Sequence, residues 1–208
     1  MKKLYLLILL IIPVIVFSQS RLDQPEIYLG TSHGVSASMI HFSPSVEQEI
    51  LLGYNGGIVF RYIDEKNVGI QAELNFFQRG WKEKGNIYAK QLNYIELPFL
   101  THIYFGNSSR FFINLGPKIS YLLSENVLKN LSTNSTETQH ITKVQHPFDY
   151  GICGGFGVLF RVKKNIFQFD TRFNYSLSDI FSNSKKDYFE TSNNINLSIN
   201  LGWLLQIK

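Results

Sequence analysis

Between residues 194 and 207 the chain alternates. Ile195, Leu197, Ile199, Leu201, Trp203, Leu205 and Ile207 are apolar, and the residues between them are Asn, Ser, Gly or Gln except Leu204. A period of two marks a strand with unlike faces. The pattern recurs over 165–177, where Phe167, Phe169, Phe173, Tyr175 and Leu177 oppose Gln168, Asp170, Arg172, Asn174 and Ser176. Over 148–162, Tyr150, Ile152, Phe156, Val158 and Phe160 oppose Asp149, Gly151, Cys153, Gly155 and Gly157. Less cleanly, over 67–79, Ile70, Ala72, Leu74 and Phe76 oppose Gln71, Glu73, Asn75 and Arg79. Further strands are predicted at about 26–36, 53–62, 91–105 and 110–122, which makes eight. The first is the weakest.

The connections add an ordering. Those at 63–66, 106–109 and 163–164 are tight, whereas those at 37–52, 80–90, 123–147 and 178–191 are long and polar. Strict alternation of short and long connections puts all tight turns, with both termini, at one end of an up-and-down barrel. It also gathers every long loop at the other, as in outer-membrane barrels. The Asn-, Ser- and Thr-rich stretch 123–147 reads as a mobile external loop.

Two eight-stranded barrels share this pattern and differ in which face is wet. A soluble, lipocalin-like barrel turns its apolar face inward and dresses its outside in charge. Here the polar face is mostly Gly, Asn, Ser and Gln, which suits a crowded interior better than a soluble surface. The strands are also long enough to cross a bilayer at a tilt. The expected architecture is therefore an all-β, eight-stranded antiparallel transmembrane barrel with its apolar face in lipid. Tyr62, Phe105, Phe111, Phe160 and Phe167 are expected to form the periplasmic aromatic girdle, with Trp81, Tyr121, Tyr150 and Tyr175 at the other interface.

The N-terminus fits export. MKKLYLLILLIIPVIVFSQS has two lysines, an apolar run and small residues before a cut, the layout of a signal peptide over 1–18, and leaves one barrel domain over 19–208. No later window has the length of a helical span. The formal charge of +4 falls to +2 without Lys2 and Lys3, too mild to argue for nucleic acid. Cys153 is alone, so no disulfide within the chain staples the fold.

Inward-facing charge needs partners in so narrow a barrel. By parity Arg61, Glu73, Arg79, Glu96, His102, Lys118, Arg161, Asp170 and Arg172 face the lumen, with both signs present, so a structural ion-pair network is expected.

The succession GYNGGIVFRY, VGIQAELNFFQRGW, LNYIELPFLTHIYF, RFFINLGPKISYLL, FDYGICGGFGVLFRV and FQFDTRFNYSLSDIF resembles the PorT-like outer-membrane β-barrel family in order and spacing. YIELP, Tyr94 to Pro98, looks like that family's Tyr-x-Glu-x-Pro strand. The resemblance implies an eight-stranded barrel in a Gram-negative outer membrane. The member that names the family is associated with type IX secretion, so an accessory role in secretion is one implied function. The last strand also resembles the signal read by the barrel-insertion machinery, with Asn200, Gly202, Leu205 and Ile207 in the signal's places. Leu and Ile stand there where aromatics are usual.

Candidate chemistry is thin. His33, His41, Ser43 and Glu47 lie close in sequence, with Asp179 in a later loop, and an outer-membrane lipid-modifying enzyme would need His, Ser and an acid at the external rim. His140 and His146 lack carboxylate or Cys ligands at metal spacing. Gly151, Gly154, Gly155 and Gly157 stand on a strand without a Gly-Lys-Ser/Thr or a following helix, so they are no phosphate loop. The expectation is a monomeric, non-enzymatic barrel without cofactor or metal, surrounded by outer-membrane lipid. It would act through partner contacts at loops 123–147 and 178–191, including Phe181, Tyr188 and Phe189. A soluble ligand-binding barrel and a lipid-modifying enzyme are the alternatives.

Overall fold

The structure is a computed structural model that describes residues 21–131, 137–184 and 188–208, so the signal-peptide segment 1–18 lies outside the described residues. Eight long strands form the wall: β1 (Arg21–Ser43), β3 (Leu51–Glu65), β4 (Val68–Glu83), β5 (Tyr88–Gly106), β6 (Ser109–Asn130), β7 (Phe148–Val162), β8 (Asn165–Asp179) and β9 (Thr191–Gln206). Each pairs antiparallel with its neighbour in sequence, and β9 returns to β1 from Tyr28↔Gln206 to Ser43↔Thr191. The ring closes, so over its common paired length the wall presents no open sheet edge to lipid. The two-residue β2 (Gln48–Glu49) pairs with Glu83 and Lys82 of β4 outside that ring.

The expected tight turns are two-residue links, at Lys66–Asn67, Asn107–Ser108 and Lys163–Lys164. Asn67 and Lys163 take positive φ, and Asn67 Nδ2 donates to Tyr104 O at 2.7 Å, tying the first turn to β5. At the opposite end the expected connections 37–52 and 80–90 shrink to 44–50 and 84–87, because the strands continue beyond the alternating segments. Residues such as Lys82, Gln91 and Asn93 carry no apolar face once the strand leaves lipid, yet their backbones still pair. β6 likewise runs well into the stretch expected to be a loop. Its pairing with β7 ends at Tyr121↔Phe148, while its pairing with β5 continues to Tyr88↔Asn130. β4 also stays paired with β5 as far as Lys82↔Ala89, so β4, β5 and β6 rise above the ring as a three-stranded extension, and a one-turn helix, Thr138–Ile141, follows in the β6–β7 connection.

Outside and inside are chemically opposite to those of a water-soluble protein. Leu197, Ile199, Leu201 and Trp203 are exposed and Ile195 is half-buried, whereas Asn194, Asn196, Ser198 and Asn200 between them are buried. Outward-row aromatics, all exposed except the half-buried Tyr175, mark two borders, Phe111 to Tyr121 on β6, Tyr150 to Phe160 on β7 and Phe167 to Tyr175 on β8. Each interval falls within the about 9 to 11 residues a tilted strand needs to cross a bilayer. Trp81 departs from the expected girdle. It shares the parity of Arg79, points inward and is fully buried.

Leu204, the exception in the last strand's alternation, faces inward. It joins Tyr28, Val59, Ile63, Tyr104, Phe112, Leu159 and Ile166 in an apolar cluster near the tight turns. A second cluster at the other end contains Ile40, Phe42, Trp81, Tyr88, Leu92, Tyr94, Ile180, Phe181 and Phe189. The lumen is therefore layered, with polar residues held between two apolar plugs.

Candidate functional site

Between the plugs lies a buried charge network. Glu96 of β5 and Asp149 of β7 face Arg79 of β4 and Lys118 of β6. Arg79 Nη1 lies 3.3 Å from Glu96 Oε2, and its Nη2 lies 2.6 Å from Asp149 Oδ2. Lys118 Nζ reaches the same two oxygens at 3.0 and 3.4 Å. Ser120, Ser176 and Ser178 donate to the carboxylates from β6 and β8, at 3.1 Å to Glu96 and at 2.9 and 2.5 Å to Asp149. The Arg79 guanidinium also lies over the Tyr94 ring, 3.8 Å from its centroid.

A second knot lies on the neighbouring arc. Arg172 bridges Glu73 and Asp170, each at 2.6 Å. Asn75 donates to Glu73 at 2.8 Å, Asn200 to Asp170 at 3.0 Å and Asn55 to Asn200 Oδ1 at 2.6 Å. Arg61 is held by Gln71 Oε1 at 2.7 Å and Gln168 Oε1 at 2.6 Å, and Gln71 Nε2 donates to Glu73. Two inward glycines of β7 leave the room, since Gly155 sits opposite Arg172 and Gly157 opposite Asp170. A Cβ on Gly155 would come within 2.8 Å of Arg172 Cγ. Three cations, Arg79, Lys118 and Arg172, thus pair with four carboxylates, Glu73, Glu96, Asp149 and Asp170, and a fourth, Arg61, is held by amide oxygens, all of them buried. Such groups are tolerable in a low-dielectric interior because each has a partner of opposite sign or a hydrogen bond.

Most of the residues picked by parity stand in these two knots. Arg161 does not: it is half-buried at the tight-turn rim, where its Nη1 lies 2.9 Å from Glu26 Oε1 and its Nη2 donates to Gln206 Oε1 at 2.6 Å. His102 is buried and its Nδ1 lies 2.8 Å from Asn114 Oδ1. The carboxylate that joins the first knot together, Asp149, was missed as a site residue, although its parity with Gly151 on the polar face of β7 was visible in the sequence. Asn200 and Gly202 of the proposed insertion signal face inward, while Leu205 and Ile207 face outward.

The external mouth is closed by side chains from three elements. Phe42 of β1 packs on Trp81 of β4 at 5.6 Å edge-on and on Phe189 at 4.8 Å, and Phe181 stacks on Phe189 at 5.6 Å. Phe181 and Phe189 therefore do not offer the exposed surface expected of them, whereas Tyr188 does. Residues 138–146 fold over the same mouth. His140 stacks on Tyr88 at 3.8 Å and meets Glu83 at 2.7 Å, and Lys90 Nζ donates to Thr142 O at 3.0 Å. What was expected as a mobile loop is, over its described part, strand, helical turn and lid.

The rim residues weighed for catalysis do not converge. His33 and His41 project from the outer face of β1, His33 meeting Tyr54 OH at 2.7 Å. Asp179 accepts from Ser192 N at 2.5 Å. Among the described residues no group of three His, Cys, Asp or Glu is placed to hold a metal ion.

A closed ring of eight strands, apolar outside and polar within, is an integral membrane β-barrel. The model of the outer membrane protein beta-barrel domain family matches residues 17–182, and the chain belongs to that family. It is a protein of the outer membrane. The fold is similar to OprG from Pseudomonas aeruginosa, at 12% identity and a TM-score of 0.56, over 88% of this chain and 95% of that one. It is also similar to Neisserial surface protein A, at 11% identity and a TM-score of 0.51, over 89% of this chain and 100% of that one. No curated protein matches the sequence.

Proposed function

We propose that this barrel is a membrane-anchored, non-enzymatic platform whose work is done by its external end. The observation that carries the reading is the layered lumen, with a charge-balanced network between two apolar plugs and a mouth folded shut by aromatic side chains. A barrel built this way suits presentation of surface better than passage of solute. The surface it offers is the extension formed by β4, β5 and β6 and its surroundings, where Ile87, Val127, Leu128, Leu131 and Ile141 are exposed beyond the lipid-facing belt. Exposed apolar residues on a hydrogen-bonded sheet extension are a favourable ground for protein contact.

The PorT-like resemblance suggests a partner in type IX secretion. Its most telling element, however, points inward: Tyr94 lies beneath Arg79, and Glu96 binds Arg79 and Lys118. Those residues account for the motif through barrel stability, so the resemblance supports the barrel and carries no secretion partner with it. The inward Asn200 and Gly202 and the outward Leu205 and Ile207 are compatible with use of the last strand as an insertion signal. The closed ring likewise suits a monomer.

A photoreactive side chain at Val127, introduced in intact cells, tests the platform. The expected result is a discrete protein adduct, lost when Leu131→Asp is added and absent when the probe is moved to Lys163 at the tight-turn end. Adducts to lipid alone from Val127 would overturn the reading.

A further inference from the structure

Near the external border the wall is incomplete on one side of β1. Pairing of β1 with β3 ends at Ser38↔Leu51, while pairing of β1 with β9 continues to Ser43↔Thr191. From Met39 upward, β1 has a strand on only one flank. A side chain substitutes for the missing ladder at one position. Gln48 Nε2 donates to Ile40 O at 2.7 Å, and Gln48 Oε1 accepts from Ile40 N at 3.0 Å. This clamp holds segment 44–50 across the outer wall and turns a flat face into a groove of about 380 Å³.

The groove has two apolar sides. Met39, Phe173, Ile195 and Leu197 form the barrel side, and Val46 and Ile50 form the overhang. Met39, Phe173 and Leu197 are exposed members of the lipid-facing belt and Ile195 is a half-buried one in the same outward row, so the groove is an indentation of that belt. Its height follows from the register: Leu197 pairs with Phe173, and Ile195 pairs with Tyr175, which marks the external aromatic border. The groove therefore opens toward the outer leaflet, and His41, Ser45 and Gln48 are its polar members at the water-facing end. Its size lies in the range of small-molecule sites, about 300–1,000 Å³.

We propose that this groove is a binding site for one acyl chain of an outer-leaflet lipid, seated between the β1/β9 wall and the segment clamped by Gln48. The occupant follows from continuity with the lipid belt. A chain enters sideways from the bilayer without crossing water, and its headgroup comes to rest beside the polar end. An ordinary annular lipid touches one convex wall and exchanges freely. A chain here is held on two sides.

Native mass spectrometry of the refolded barrel in detergent, titrated with dimyristoyl phosphatidylethanolamine as the probe, tests the proposal. Heat-modifiable gel mobility is first used to select folded protein. The expected result is one saturable lipid adduct, weakened at least tenfold by Ala37→Trp, which fills the floor of the groove, and unchanged by Leu201→Trp on the belt below it. Gln48→Ala, which releases the clamp without placing bulk in the wall, is expected to weaken the adduct as well, and it carries the test should Ala37→Trp fail to fold. An unsaturable ladder of adducts, equal in the wild type, Gln48→Ala and Leu201→Trp, would mean an adventitious lipid annulus only and would overturn the proposal.

Discussion

Asp149 shows what one residue holds in this interior. Its carboxylate gathers Arg79, Lys118, Ser176 and Ser178 from three strands. Asp149→Ala leaves two buried cations to share Glu96, and breaking a buried ion pair from one side costs about 3–5 kcal/mol. A fall of that order in the unfolding free energy, measured by urea titration in detergent micelles, is the expected outcome. Asp149→Asn, which keeps the volume and part of the hydrogen bonding, is expected to lose less. At the water-facing end, hydrogen bonds from the Lys82 ammonium and then from Gly85 N–H hold the exposed Glu49 carboxyl below its ordinary value. A depressed carboxyl adds stability that is present above its unfolded pKa and is lost as the pH falls through the folded one. An NMR titration should therefore find Glu49 titrating below a free glutamate, with the shift reduced by Lys82→Met and the remainder left by the Gly85 N–H. Parity alone made most of the network legible, because a charge opposite an apolar row in a narrow barrel has only the lumen to face. Arg161 is ion-paired at the rim and not in the two knots, because parity gives the face and not the height. Asp149 was passed over for the same lack of depth information.

At the scale of elements, sequence pattern marked each strand where it crosses lipid and lost it where it left. Alternation is a record of two unlike solvents. Above the border both faces of a strand meet water or loops, so β4 as far as Glu83 and β6 as far as Asn130 carry no such record. The lid was hidden for a related reason, since Phe181 and Phe189 in a polar segment look like exposed contact residues until Phe42 and Trp81 are brought under them. That packing predicts how the mouth behaves. Phe42→Ala removes the ring at the centre of the aromatic stack and lowers the free energy of local opening, so segment 180–190 should become several-fold more susceptible to added protease in folded barrels. Phe169→Ala, on the lipid face, should leave the cleavage rate unchanged.

The whole molecule is an inverted globule, with lipid outside where a soluble protein meets water and a polar core where a soluble protein is apolar. Barrel, strand number and orientation of the faces all followed from the two-residue period and from the alternation of short and long connections. The two plugs did not, because each is assembled from single inward apolar residues, such as Leu204, Leu159 and Phe112, contributed by different strands. Those plugs separate a platform from a pore. Planar-bilayer recording of the purified wild-type barrel tests the point most directly. Insertion without a steady ohmic current is the predicted result, and a persistent open conductance like that of a water-filled channel would contradict it.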